Sequence, residues 1–148
     1  MSLENKINKH KEIIGVFGLG YVGLPLALNF SQNRLKVYGF DNDKSKIDKL
    51  KKGKSYLTHI KSQDIKKGKK EGLIFTNDYS YVKKIDVIII CVPTPLTKNK
   101  KPDLKFIKST VKSILPYLKK EQLISLESTT YPGTTNEIIL PELEKKGF

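Results

Sequence analysis

The sequence predicts an α/β chain: a doubly wound parallel sheet covered by helices on both faces, in three layers. Three observations predict it. Strand-like apolar runs alternate with helical patterns along the whole chain, the order that builds parallel sheets. The run Val87-Ile88-Ile89-Ile90-Cys91-Val92 is continuously apolar rather than alternating, as expected of a strand covered on both faces. Finally, the short apolar run Ile13–Phe17 ends in Gly18-Leu19-Gly20-Tyr21-Val22-Gly23, and a helical pattern follows it. Strand, turn and helix in that order are the context in which Gly-x-Gly-x-x-Gly binds a dinucleotide.

The elements follow in order. Residues 1–12 are polar and form an arm or a frayed helix ahead of the domain, which spans 13–148. Ile13–Phe17 is the first strand. Gly18 permits the tight turn out of it, Gly20 lets a pyrophosphate approach the backbone, and Gly23 lets the next helix pack closely. That helix runs from Tyr21 to Ser31, with Pro25 in its first turns, where a missing N–H costs least. Its free N–H groups and partial positive charge suit phosphates. Lys36–Phe40 is the second strand, and Asp41 stands at its end. Asp41 follows Gly20 by 21 positions, close to the roughly 20 expected of the acid that binds the adenine ribose. The other reading has Asp41 only capping a helix. The combination of glycines, strand, helix and spaced acid favours binding.

Asp43 caps a second helix that ends at Lys52, with Gly53 as its stop. Lys46 either reaches the adenosine half of the ligand or is an ordinary exposed lysine. Ser55–Ile60 is a loop. His59 in it is isolated and supports neither catalysis nor metal binding, so no metal site is expected. Ser62–Lys70 is helical, Leu73–Thr76 a third strand, and Asp78–Lys84 a short helix or turn. Asp86–Val92 is the central strand, stopped by Pro93-Thr94-Pro95. Ligands of this architecture bind at the C-terminal ends of strands, which makes Thr94 a candidate neighbour of the ligand. Asp103–Lys119 reads as one long helix disturbed by Pro116 near its end. Gln122–Leu126 is the fifth strand, followed by a hydroxyl-rich turn over 127–135. The last helix, Asn136–Lys146, is interrupted at Pro141. The sheet is therefore expected to stop before the last strand of the six-stranded form.

Composition narrows the class. The chain has 148 residues, 29% charged and 38% hydrophobic, the range of a soluble globular domain. No segment reaches the roughly 18 apolar residues of a membrane span, and no apolar leader is visible at the N-terminus. One cysteine, Cys91, excludes an internal disulfide and fits a reducing cytoplasm. Of 28 basic residues only Arg34 is an arginine, and the net charge is +13. Nucleic-acid binding is one reading of that charge. The lysines, however, are scattered over every element with no nucleic-acid motif. A solvated basic surface that attracts an anionic ligand is the preferred reading, with neither nucleic acid nor membrane as partner.

Three stretches carry a resemblance: Gly18 to Ala27, Cys91-Val92-Pro93-Thr94-Pro95-Leu96, and Glu127-Ser128-Thr129-Thr130-Tyr131-Pro132-Gly133-Thr134-Thr135. In this order and spacing they resemble the N-terminal NAD-binding domain, of Rossmann type, of the UDP-glucose/GDP-mannose dehydrogenase family. The Ser55–Ile60 loop and the Glu127–Thr135 turn tilt the resemblance to the branch acting on UDP-N-acetylglucosamine. The family oxidises the C6 alcohol of a nucleotide sugar to a carboxylate with two NAD. The resemblance implies that Gly18, Leu19, Gly20, Tyr21, Val22 and Gly23 hold the pyrophosphate, with Asp41 and Lys46 at the adenosine ribose. It implies that Val92, Pro93 and Thr94, and Ser128, Thr129 and Thr130, line the cofactor. Thr129 matches the threonine that helps hold a catalytic water. Asp41 disfavours NADP, whose 2′-phosphate would meet its carboxylate.

The same resemblance places the family's catalytic cysteine, lysine and a key glutamate in later segments. Cys91 does not match the nucleophile and lies in a buried run, where a thiol is inert. The dimerising helix and the nucleotide-sugar domain also come later, so a homodimer is expected only of the full-length protein. This chain is expected to bind NAD without turning over. The alternatives are another dehydrogenase of the same fold, which leaves the Ser-Thr-Thr-Tyr-Pro-Gly turn unexplained, and a non-catalytic nucleotide-binding module.

Overall fold

The computed structural model describes residues 1–148. Five strands form one sheet: β1 (Ile13–Phe17), β2 (Lys36–Phe40), β3 (Leu73–Thr76), β4 (Val87–Ile90) and β5 (Leu123–Leu126). All neighbours are parallel, in the order β3-β2-β1-β4-β5. The chain builds outward from β1 to β3, then returns to β1 and builds the other way. The crevice of such a sheet opens where the order reverses, between the ends of β1 and β4. There Phe17 sits beside Phe40 on one side and Ile90 on the other.

Alternate side chains of each strand enter opposite layers, the two-residue period of the pleat. Val16, Val37 and Ile89 join one cluster with Leu24, Ala27 and Leu28 of α2 (Gly23–Gln32), Ile47 and Leu50 of α3 (Lys44–Lys51) and Ile65 of α4 (Ser62–Lys70). Phe17, Phe40, Ile88 and Ile90 join the other, with Ile107, Val111 and Ile114 of α5 (Lys105–Ile114). The expected three-layer α/β architecture is what forms. Asp43 caps α3 as expected, its Oδ1 accepting from the N–H groups of Ser45 (2.9 Å) and Lys46 (3.3 Å). Gly53, at φ +71°, ends it.

Several boundaries differ from the sequence reading. Of the two forms considered for residues 1–12, a helix appears: α1 (Leu3–Asn8), with Ser2 accepting from the Asn5 N–H. Lys6 of α1 reaches Asp86 at the start of β4 (2.6 Å), and Asp86 also accepts from the Ile13 N–H (3.0 Å). Tyr21 and Val22 belong to the turn before α2, not to the helix. The helix expected over 103–119 is shorter. Pro116 has no N–H to continue the ladder, and a 3-10 turn over Leu115–Tyr117 replaces its end. Pro141 acts the same way in the last segment. It offers no N–H to the Glu137 carbonyl, and a π-helical turn, Thr135–Ile139, precedes the short α6 (Leu140–Glu144). No helix is long and apolar enough to cross a membrane.

Candidate functional site

Four strands deliver residues to one cleft at the C-terminal edge of the sheet, about 750 Å³ in volume. β1 contributes Gly18, Gly20, Tyr21 and Val22. β2 contributes Asp41, with Lys46 of α3 behind it. β4 contributes Cys91 to Thr94, and β5 contributes Glu127, Ser128 and Thr129.

The three glycines of the first turn are there for different reasons. Gly18 has φ +93°, and a Cβ on it would lie 2.7 Å from the Cys91 carbonyl oxygen. A Cβ on Gly23 would lie 1.8 Å from the Gly18 carbonyl oxygen. Both are required by the chain's own packing. Gly20 is not: a Cβ there would meet nothing within 4 Å. It faces the open cleft, so the missing side chain leaves room for something the protein does not itself supply. The N–H groups of Gly20, Tyr21 and Val22 find no acceptor in the chain, and no side chain caps α2. Uncapped donors at a helix N-terminus attract an anion.

Asp41 is only 7% exposed. Its Oδ2 accepts from the Leu19 N–H at 3.0 Å and its Oδ1 from the Asp43 N–H at 2.9 Å. Each carboxylate oxygen can accept more than one bond, so both keep capacity for ligand hydroxyls. Lys46 lies beside it, Nζ 3.8 Å from Oδ2. The lysine is therefore at the same end of the cleft as Asp41.

At the other end, the turns after β4 and β5 are bonded to each other. The Thr94 hydroxyl donates to the Thr129 carbonyl, and the Ser128 hydroxyl donates to the Val92 carbonyl at 2.7 Å. The Thr129 hydroxyl has no partner within the chain and lines the cleft with Val92 and Pro93. Thr130 is turned away, its hydroxyl 2.8 Å from that of Thr134. Leu19 and Gly23 also stay outside the cleft wall: both are buried beneath the turn. Cys91 is 9% exposed, and burial, then the charge of Glu127, push its thiol up to about 11.

Sequence reasoning missed several lining residues. Phe17 and Phe40 stack with ring centroids 4.3 Å apart, and Tyr79 packs on both. Three residues that far apart in the chain give no local signal. Phe106, Ser109, Thr110 and Ser113 line the cleft from α5. The last three carried a signal, as hydroxyls at helical spacing on a helix whose other face is apolar. Tyr56 also lines the cleft. Its hydroxyl donates to the Leu19 carbonyl, and its ring lies under Lys46 Nζ (5.7 Å). His59 stacks on the exposed Tyr21 ring at 5.3 Å.

The model of the UDP-glucose/GDP-mannose dehydrogenase family, NAD binding domain, matches residues 12–147. A UDP-N-acetyl-D-glucosamine 6-dehydrogenase of Pseudomonas aeruginosa is 39% identical over 132 residues, which is 89% of this chain and 31% of that protein. A UDP-N-acetyl-D-mannosamine dehydrogenase of Escherichia coli (strain K12) is 34% identical over 125 residues, 84% of this chain and 30% of that protein. Among solved structures, a ternary complex of GDP-mannose dehydrogenase from Pseudomonas aeruginosa matches with a TM-score of 0.84 at 32% identity. It covers 90% of this chain and 32% of that one. The chain spans about three tenths of the length of the curated relatives it matches.

Proposed function

The chain belongs to the UDP-glucose/GDP-mannose dehydrogenase family as its NAD-binding domain, and from that premise we propose that it serves an enzyme oxidising the C6 alcohol of a UDP-sugar to the uronate, with two NAD consumed. The proposed sugar is of the UDP-N-acetylglucosamine type, and the proposed setting is cytoplasmic synthesis of cell-surface polysaccharide. The observation that carries the cofactor site is Gly20, a glycine no packing requires, beside three free N–H donors.

The residues present fit NAD. Gly20, Tyr21 and Val22 offer N–H groups to the pyrophosphate. Asp41 accepts from the adenosine ribose hydroxyls and repels a 2′-phosphate, and Lys46 flanks it. Phe40, Tyr79 and Phe106 offer apolar surface for the adenine, and the hydroxyls of α5 offer it polar contacts. Val92, Pro93 and Thr94 wall the nicotinamide end. When bound, NAD supplies the hydride acceptor. Thr129, its hydroxyl free, holds a water beside the reacting carbon. Ser128 and Thr94 act by fixing the two turns against each other. Leu19 and Gly23 shape the turn from beneath, and Thr130 braces Thr134. Cys91 stays a protonated thiol of the cleft floor, not a nucleophile. The homodimer belongs to the full-length protein.

The preference for N-acetylglucosamine rests on the Ser55–Ile60 loop and the Glu127–Thr135 turn; relatives named for either sugar match this chain. Calorimetric titration of this chain tests the cofactor: NADH binds, NADPH binds at least tenfold more weakly, on the order of the penalty for meeting a buried carboxylate, and duplex DNA does not compete. A folded sample that binds DNA tightly and NADH not at all sinks the reading. NADH formation by the intact protein with UDP-N-acetylglucosamine against UDP-N-acetylmannosamine tests the sugar.

A further inference from the structure

The stretch from Gly53 to Lys61 has no regular secondary structure, yet it is firmly seated. Leu57 and Ile60 are buried in the core shared with Leu24 and Ile65. The Ser55 N–H donates to the Ser62 hydroxyl at 3.0 Å, and the Ser55 hydroxyl to the Leu57 carbonyl at 3.1 Å. From this platform the Tyr56 hydroxyl reaches the Leu19 carbonyl. The N–H of the same leucine is held by Asp41 at 3.0 Å. Leu19 is thus gripped on both of its backbone groups, and its side chain is fully buried.

A trans peptide is planar, with C=O and N–H pointing in opposite directions. Holding the Leu19 N–H on Asp41 turns the Gly18 carbonyl the other way, toward Gly23, into the space that a Cβ on Gly23 would need. Holding the Leu19 carbonyl on Tyr56 turns the Gly20 N–H the other way. That N–H is one of the donors without an acceptor in the chain.

We propose that Tyr56 is a positioning residue for the cofactor's pyrophosphate: through the Leu19 carbonyl it aims the Gly20 N–H into the cleft. The inference rests on the NAD reading above. A rotation of the Leu19–Gly20 peptide would present a carbonyl oxygen where a phosphate oxygen must sit, replacing attraction with repulsion. Tyr56 opposes that rotation. Its single hydroxyl proton is committed to Leu19, so it acts through the backbone rather than on the ligand. Burial, then the charges of Asp41 and Asp43, raise its pKa above the ordinary tyrosine value, so the hydroxyl stays a donor. Asp41 and Tyr56 together make Leu19 the link between the ribose site and the pyrophosphate site.

The test is Tyr56→Phe, titrated by NMR with NADH, ADP and adenosine. Adenosine can occupy the ribose site without a phosphate, whereas ADP adds the pyrophosphate. Losing one hydrogen bond that organises a charged contact is expected to weaken NADH and ADP by about 5- to 10-fold and to leave adenosine within about twofold. Unchanged NADH affinity overturns the proposal. So does an equal loss for adenosine, which would make Tyr56 a general wall of the cleft. Wild-type protein supplies an independent reading if the variant does not fold: the Gly20 amide resonance should move strongly with ADP and little with adenosine, and a Gly20 amide indifferent to ADP overturns the proposal. If wild type binds neither NADH nor ADP, the dinucleotide reading itself fails, a result distinct from either of these.

Discussion

Gly20 and Gly23 stand three positions apart in one motif for opposite reasons, and substitution should separate them. Gly23→Ala drives a methyl into the Gly18 carbonyl, 1.8 Å away. The turn must shift, and a loss of about 2–4 kcal/mol in urea unfolding is expected. Gly20→Ala adds a methyl to open space at a position without positive φ. It should leave stability unchanged or raise it by up to about 1 kcal/mol, through the unfolded chain, while NADH affinity falls at least tenfold because the methyl occupies the place of the pyrophosphate. Equal loss of stability in both variants would contradict the assignment of Gly20 to the ligand. The motif, Asp41 and the two later turns were legible in the sequence because each is a local pattern of residue types. Tyr56 and Tyr79 were not, because they meet the site only through contacts with Leu19 and with the Phe17–Phe40 stack, far away along the chain. Thr130 was named through the family resemblance, and its hydroxyl lies 2.8 Å from that of Thr134.

Among the elements, the strands were the most readable. Continuous apolar residues in β4 can only be buried on two faces, and the observed strand lies inside the expected run. The ends of helices were less so, since Pro116 and Pro141 permit several local solutions and neighbouring packing selects one. The first helix was undecided because nothing in its sequence names its partner, Asp86. Burial alone would raise the Asp86 carboxyl. The hydrogen bonds from Lys6 and the Ile13 amide, with the Lys119 charge, instead hold it below the ordinary carboxylate range. A group lowered in this way stabilises the fold fully above the unfolded carboxylate value, near 3.9, and loses that contribution as pH falls through the folded value. Asp86→Asn should therefore cost about 1–2 kcal/mol at pH 7, and the gap to wild type should shrink as pH falls below the unfolded carboxylate value. Urea melts of both proteins at pH 7 and pH 3 measure it. A gap that is the same at both values would mean that the charge is not what holds α1 to the sheet.

At the scale of the molecule, the order β3-β2-β1-β4-β5 puts the ligand groups of four strands along one edge, so the fold class alone located the cleft. The +13 charge works over a longer range than any contact. It should draw a dinucleotide in, and added salt should remove the effect, because the screening length shrinks from about 10 Å at 0.1 M to about 3 Å at 1 M. Stopped-flow mixing with NADH at 50 mM and 500 mM salt is expected to show an association rate about 3- to 10-fold slower at high salt, with the dissociation rate nearly constant. A dissociation rate carrying most of the change would place the lysines in direct contact with the ligand instead. The mutual bonds of the turns after β4 and β5, Thr94 to Thr129 and Ser128 to Val92, have a thermodynamic consequence. Loops that are loose in the free state must be frozen when a ligand arrives, and that loss of disorder subtracts from affinity. Here the two turns are already immobilised by one another during folding. Under the proposed reading, the nicotinamide half should accordingly bind with little entropic penalty from the protein, and the ordering left to the ligand is that of its own rotatable bonds.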